Sequence, residues 1–193
     1  MLAEPLAVTI MVSDALEALG VDYVLGGSLA SAVHGVMRAT MDADLVADLD
    51  LAQVDPFVQA LGEAFYLERN TVRQAVRARS SFNLIHLETL FKVDVFVARA
   101  RPFDRAQLSR RQRIQIGEDP GCQAYVASAE DTVLAKLEGY RIGGEVSARQ
   151  WRDVIGILQV QADRLDLEYV RRMAAELGVV DLLDGALQAA GLC

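Results

Sequence analysis

The stretch of residues 23–49 constrains the fold of this chain more than any other. It predicts a short strand, a glycine turn that opens a short helix, and a second strand that begins with Asp42 and Asp44. Residues i and i+2 of a strand point to the same face, so these two carboxylates converge on one small volume. They repel each other unless a cation lies between them, and Mg²⁺ is commonly held by one or two carboxylates and the oxygens of a substrate phosphate. The strand therefore predicts a metal site, although solvated acids at a strand edge would give the same pattern.

The glycine turn between the two strands consists of Gly26, Gly27 and Ser28. Glycine lets the backbone approach a ligand closely, and the N–H groups and dipole of the helix that follows favour an anion. The turn thus predicts a phosphate site, which beside a metal site would form a triphosphate site. The alternative is an ordinary connection between a strand and a helix.

A third acid, Asp94, lies within a run of strong strand formers from residue 92 to residue 97. An ionised group in an apolar strand is costly unless it is paired or bound to a metal. Asp94 is therefore a candidate third metal ligand, and the alternative is a salt bridge to a neighbouring arginine.

The glycine turn, followed by Arg38-x-Thr40-x-Asp42-x-Asp44, resembles the signature of the nucleotidyltransferase superfamily, which has the DNA polymerase β-like fold. In that family a third carboxylate lies on a later strand, as Asp94 does here. The resemblance implies transfer of NMP from an NTP, ATP among them, to a hydroxyl group, with two Mg²⁺ ions, or Mn²⁺, as cofactors. It implies that the three acids hold the metal and that the turn, Arg38 and a later lysine bind the nucleotide.

Two segments near the C-terminus, residues 128–137 and 149–153, extend this resemblance. They are similar to the C-terminal motif of minimal nucleotidyltransferases, in the branch of abortive-infection and toxin–antitoxin toxins. The resemblance implies that Lys136 and Asp153 complete the active site. The residues themselves leave other readings open: Lys136 as a surface lysine whose stem covers apolar side chains, and Asp153 as the partner of Arg149 in an i, i+4 ion pair.

The acceptor of the nucleotidyl group is open at this point. Arg73 and Arg77 are spaced to form one basic side of a predicted helix, and we expect them to contact an acceptor such as the end of a tRNA or another RNA. A protein or small-molecule acceptor and a toxin with an antitoxin partner are further expectations. A fold retained as a nucleotide- or partner-binding module is the non-enzymatic alternative.

The predicted fold class is α/β (α+β): a small mixed sheet with flanking helices, followed by a C-terminal helical bundle that closes one side of the cleft. Residues 1–120 would form the nucleotidyltransferase-like core and residues 121–193 the helical part, with a helix and a linker predicted between residues 99 and 119. Net charge is −8, which argues against indiscriminate binding to nucleic acid. No apolar run is long enough to span a membrane. The chain has only two cysteines, which argues against a disulfide framework or a zinc site, so a cytoplasmic location is expected.

Overall fold

A computed structural model describes residues 4–37, 40, 42–116 and 122–192 of the chain. They form a mixed sheet and a set of helices, which confirms the predicted fold class. The strands are β1 Tyr23–Leu25, β2 Asp42–Ala47, β3 Phe65–Tyr66, β4 Ser81–His86, β5 Lys92–Val97, β6 Gln112–Gln115 and β7 Gln123–Val126. The α-helices are α1 Glu4–Ala18, α2 Gly27–Val33, α3 Val54–Leu61, α4 Arg69–Ala78, α5 Pro102–Ser109, α6 Ala129–Ile142, α7 Ala148–Gln161, α8 Leu167–Leu177 and α9 Val180–Ala190.

The described residues divide into two compact units. The sheet unit comprises those of residues 1–26 and 39–126, and the helical unit comprises those of residues 27–38 and 127–193. The sequence places a boundary after residue 120, which lies outside the described residues. Residues 27–37, which include α2, pack with the helices although they lie between two strands in sequence.

The sheet has the strand order β3-β4-β5-β2-β1-β7-β6. Strand β2 pairs parallel with β5 and antiparallel with β1, and β4 pairs antiparallel with β5, so the sheet is mixed. The two strands that carry the predicted acids are therefore direct neighbours in the middle of the sheet.

The two faces of the sheet differ in character, as the period of two in its central strands predicts. Ala43, Leu45 and Ala47 of β2 are fully buried and face the helices of this unit. Helix α3 contacts α1 and α4, and its Phe57 makes an edge-to-face contact with Phe82 on the buried face of β4. The alternate residues of β2, β4 and β5 form the other face, which is partly or fully exposed.

Strand β6 corrects the prediction of a helix followed by a linker between residues 99 and 119. Helix α5 forms as expected, but residues 112–115 pair antiparallel with β7 at the edge of the sheet. Three of these four residues are polar, so the sequence gives no strand signal. The strand forms because β7 supplies partners for its backbone hydrogen bonds. Arg111 and Arg113 also lie over the ring of Tyr125 on β7, with cation-to-centroid distances of 4.6 and 5.6 Å.

Three helices of the helical unit, α6, α7 and α8, begin with a side-chain cap. The oxygens of Ser128, Ser147 and Asp166 accept hydrogen bonds from backbone N–H groups in the first turns of α6, α7 and α8. The patterns Ser128-x-x-Asp131 and Ser147-x-x-Gln150 predict the first two of these helix starts, and Asp166 is one of two caps, with Asp163, that the sequence offers for the third. No helix in the described ranges combines the length and apolar character needed to cross a lipid bilayer.

Candidate active site

The predicted acids lie on the exposed face of the central sheet, which we call the acid-bearing face. Asp42 and Asp44 occupy alternate, half-buried positions of β2, and Asp94 occupies a half-buried position of β5. In the parallel pairing of these strands, Asp44 lies directly opposite Asp94. Neighbouring strands are about 4.8 Å apart, so the structure brings these two acids side by side.

A lysine that the sequence reasoning did not select lies among these acids. Lys92 is opposite Asp42 on the neighbouring strand and two residues before Asp94 on its own strand. Its Nζ lies 2.6 Å from Oδ2 of Asp94, with 41% of the lysine side chain and 21% of the aspartate side chain exposed. The i, i+2 spacing of Lys92 and Asp94 was a signal in the sequence that would have found this pair.

The electrostatic environment of Lys92 links it to all three acids. Its hydrogen bond to Asp94 raises the pKa of Lys92 and partial burial acts in the opposite direction, while the charges of Asp94, Asp42 and Asp44 raise it further. The positive charge of the ammonium is therefore stabilised by the whole acid set.

Two polar residues complete the surroundings of the acids. Asn83 of β4 lies opposite Asp94, which places it in the same row across the sheet as Asp44. The hydroxyl of Thr40 lies 2.8 Å from the backbone carbonyl oxygen of Asp42 and 3.2 Å from its Oδ1. This contact fixes the start of β2, where the first acid lies.

The donor chemistry of this face fits a hard divalent cation. Its ligand candidates are carboxylate oxygens on adjacent strands, and a cationic group already lies against one of them. Within residues 4–37, 40, 42–116 and 122–192, however, no three metal-ligating side chains are already gathered as a metal site.

The glycine turn is tied to the strand that carries the acids. The N–H of Gly26 donates to the backbone oxygen of Asp44 over 2.8 Å. Gly27 has a φ of +57°, a conformation that favours glycine, and it begins α2. Ser28 is buried at the next position. Arg38, the remaining predicted nucleotide contact near this turn, lies outside the described residues.

In the helical unit, Lys136 and Asp153 form a buried ion pair. Nζ of Lys136 on α6 donates to Oδ2 of Asp153 on α7 over 2.8 Å, and the two side chains are only 8% and 4% exposed. Lys136 is thus a buried, paired group, which excludes the reading of a surface lysine. Neither residue pattern nor helix spacing predicted that these two residues are each other's partner.

A cavity of about 370 Å³ lies beside this ion pair in the helical unit. It is lined by Val36, Arg149, Arg152 and Asp153. Its volume lies within the range of small-molecule sites, which is roughly 300–1,000 Å³. The cavity combines an apolar side chain with two exposed guanidinium groups and a buried carboxylate.

The predicted acceptor contacts lie away from the acid-bearing face. Helix α4, which carries Arg73 and Arg77, contacts β4 and also α3, the helix that packs on the buried face of the sheet. Arg73 is further bound to Asp55 of α3 by an ion pair. The sheet therefore separates these arginines from the acids, which argues against the prediction that they hold an acceptor at the acids.

The structure is similar to solved structures over most of its length, although no family model and no curated protein sequence matches the chain. An antigenic nucleotidyltransferase-like protein from Paracoccidioides brasiliensis is 17% identical with a TM-score of 0.52, covering 98% of this chain and 94% of that chain. The structure of ANT(2'')-Ia in complex with adenylyl-2''-tobramycin is 12% identical with a TM-score of 0.53, covering 91% and 97%. The lincomycin-bound lincosamide antibiotic adenylyltransferase LnuA is 15% identical with a TM-score of 0.51, covering 82% and 98%.

At these low identities, the similarity establishes the fold. The chain has the nucleotidyltransferase fold, with flanking helices and a helical C-terminal region, as the sequence motifs implied. Because one fold can carry many activities, the activity has to be argued from the residues of the site. The resemblance to the toxin branch stays a prediction.

Proposed function

We propose that this chain is a metal-dependent nucleotidyltransferase that transfers NMP from an NTP to a hydroxyl group. One observation carries the proposal: on a nucleotidyltransferase fold, Asp44 and Asp94 lie opposite each other on adjacent strands, with Asp42 on the same face. A binding module would not need acids on both strands.

In this proposal the three acids have different roles. Asp42 and Asp44 would hold a divalent cation. Asp94 would help to hold a second one, orient the acceptor hydroxyl and accept its proton. The acceptor oxygen forms a bond to the α-phosphorus as the bond to pyrophosphate breaks. A bound divalent cation supplies Lewis-acid stabilisation of the charge that develops on the phosphate oxygens.

The remaining site residues enter through the family resemblance. Gly26, Gly27 and Ser28 are proposed to hold the terminal phosphates through backbone N–H groups and the hydroxyl. Lys136 is proposed to stabilise the charge of the leaving pyrophosphate. Asp153, through its hydrogen bond to Lys136, would hold the ammonium in a fixed position.

For the acceptor, a small molecule is the first candidate. Two of the structures with similar folds contain small molecules: ANT(2'')-Ia contains adenylyl-2''-tobramycin, and LnuA contains lincomycin. The match covers 97% and 98% of those two chains. An RNA end, such as that of a tRNA, would be the expected acceptor of a toxin-type enzyme that is held inactive by an antitoxin.

The experiment that tests the proposal is a calorimetric titration with each of the four NTPs, with and without Mg²⁺. We expect Mg²⁺-dependent binding that is lost when Asp42 and Asp44 are both changed to Asn. The matched control changes Asp48 and Asp50 to Asn, since these two acids have the same spacing but are exposed and lie beyond the end of β2. Equal Mg²⁺–NTP affinity of the site variant and the wild type would contradict the proposal.

A second step separates an enzyme from a nucleotide-binding module. The protein is incubated with NTPs labelled at the α-phosphate and with pools of small molecules, RNA and protein. Transfer of label to one pool identifies the acceptor class, and transfer to RNA would favour the toxin-type reading. Binding that depends on the acids without transfer to any pool would favour the module.

A further inference from the structure

Lys92 has a position that the proposed reaction does not use. It lies on the acid-bearing face, opposite Asp42, and its ammonium contacts the carboxylate of Asp94 at 2.6 Å. Asp94 is the acid that the proposed function assigns to the metal and to the acceptor hydroxyl. The same carboxylate oxygen cannot bind both an ammonium and a metal ion at full strength.

The three acids share one face of two neighbouring strands with a cationic side chain of the protein itself, Lys92. Lys92 lies opposite Asp42 and contacts Asp94, which itself lies opposite Asp44 on the neighbouring strand. Like charges on adjacent strands destabilise a sheet, and an ammonium among them offsets that repulsion.

We infer that Lys92 is the resident counter-ion of the acid set, and that a divalent cation binds by displacing its ammonium from Asp94. This inference rests on the proposed metal–nucleotide site. Displacement makes binding of the cation alone weaker than the carboxylates would otherwise allow. It also leaves a free ammonium on the same face, where the phosphates of a nucleotide can accept its hydrogen bonds.

A consequence is that Lys92 couples the two ligands. A nucleotide that binds the displaced ammonium favours the state in which the cation occupies Asp94, so each ligand strengthens the binding of the other. The protein would then bind a metal–nucleotide complex in preference to the free metal ion.

The direct test observes the lysine side chains by NMR during titration with Mg²⁺. Lys92 and Lys136 are the only lysines of the chain, so lysine labelled with ¹⁵N at Nζ gives two ammonium groups to follow. We expect Mg²⁺ to shift or broaden the Lys92 signal, while the Lys136 signal, from the buried pair with Asp153, serves as the internal control. A Lys92 signal that does not change while Mg²⁺ binds would overturn the inference.

The second test measures Mn²⁺ affinity without nucleotide by electron paramagnetic resonance. Removal of a partly exposed counter-ion in Lys92→Gln should tighten Mn²⁺ binding roughly three- to tenfold, and it should weaken binding of the Mg²⁺–NTP complex. Lys92→Arg keeps the charge and should stay closer to the wild type. Arg79→Gln is the matched control, because Arg79 forms an exposed ion pair with Asp48, beyond the other end of β2.

The outcomes separate this inference from the proposed function. The Asp42→Asn, Asp44→Asn variant could lose Mg²⁺–NTP binding while Lys92→Gln keeps the Mn²⁺ affinity of the wild type. That result would overturn only the role of Lys92 and would leave the proposed function standing. An equal gain of Mn²⁺ affinity in Arg79→Gln would also overturn the role of Lys92, because the gain would then come from the change in net charge. If neither the wild type nor Lys92→Gln binds a divalent cation, with or without an NTP, both proposals fail.

Discussion

The two lysines of the chain form ion pairs that differ in how far water reaches them. The side chains of Lys92 and Asp94 are 41% and 21% exposed, whereas those of Lys136 and Asp153 are 8% and 4% exposed. A partly exposed pair contributes at most about 1 kcal/mol, because water competes with it. Removing one partner of a buried pair leaves a desolvated charge and costs about 3–5 kcal/mol. The first pair is suited to exchange with a ligand and the second to holding two helices together.

This difference gives a prediction for Asp153→Asn. We expect the free energy of unfolding to fall by about 3–5 kcal/mol, because the buried Lys136 ammonium loses its charged partner. Asp184→Asn is the matched control, since it breaks the exposed ion pair with Arg171 and should cost less than about 1 kcal/mol. Urea unfolding followed by circular dichroism measures both values.

A double variant distinguishes structural from catalytic importance. Lys136→Met combined with Asp153→Leu replaces the pair by apolar side chains and should recover most of the lost stability. If the proposed catalytic role of Lys136 is correct, nucleotidyl transfer should stay impaired in this stable protein. Full transfer activity would exclude that role.

At the scale of the elements, a glycine that ends a helix and a glycine inside a helix have opposite effects on stability. Gly178 follows the end of α8 with a φ of +69°, in the left-handed conformation that ends many helices. Gly185 lies inside α9, where a Cβ would meet the ring of Trp151 at 3.7 Å, an ordinary contact distance. The first glycine is required by its backbone conformation, and the second is not.

The same substitution should therefore have opposite effects at these two positions. Gly185→Ala should raise the free energy of unfolding by about 0.5–1 kcal/mol, because alanine loses less conformational freedom in a helix. Gly178→Ala should lower it by about 1–2 kcal/mol through backbone strain alone, since no atom lies within 4 Å of the added Cβ. Chemical denaturation measures both, and changes of the same sign would contradict this account.

At the scale of the whole molecule, residues 27–37, which lie between β1 and β2 in sequence, belong to the helical unit. Nε2 of His34 donates to the backbone oxygen of Ala127 over 2.7 Å, and the side-chain amide of Gln161 donates to the backbone oxygen of His34 over 3.2 Å. Gly156 leaves room for the side chain of Val36, which a Cβ at that position would meet at 2.8 Å. These contacts fix the segment to α7 and to the start of α6.

Hydrogen exchange should show this division. Proteins open locally in cooperative units. The amide exchange rates of residues 27–37 should therefore match those of α6 and α7 rather than those of β1 and β2. Asp153→Asn, which weakens the helical unit, should speed exchange in residues 27–37 more than in β2 and β5. Mass spectrometry of peptides from the full chain measures this, and protection of residues 27–37 that follows the strands would contradict it.

The sequence alone determined the features that depend on local geometry. The period of two in β2 placed Asp42 and Asp44 on one face, and the Ser128-x-x-Asp131 pattern marked the start of α6. The order of the glycine turn and the acids implied the nucleotidyltransferase fold. These follow from spacing along the chain, because backbone geometry fixes where neighbouring side chains point.

Only the tertiary structure decided which distant residues meet. The pairing of β2 with β5 places Asp44 opposite Asp94, and the packing of α6 on α7 makes Asp153 the partner of Lys136. The partner strand likewise determines β6, whose own residues gave no strand signal. Such pairings depend on the register and burial of the whole fold, in which many long-range contacts form together, so the spacing of residues along the chain does not specify them.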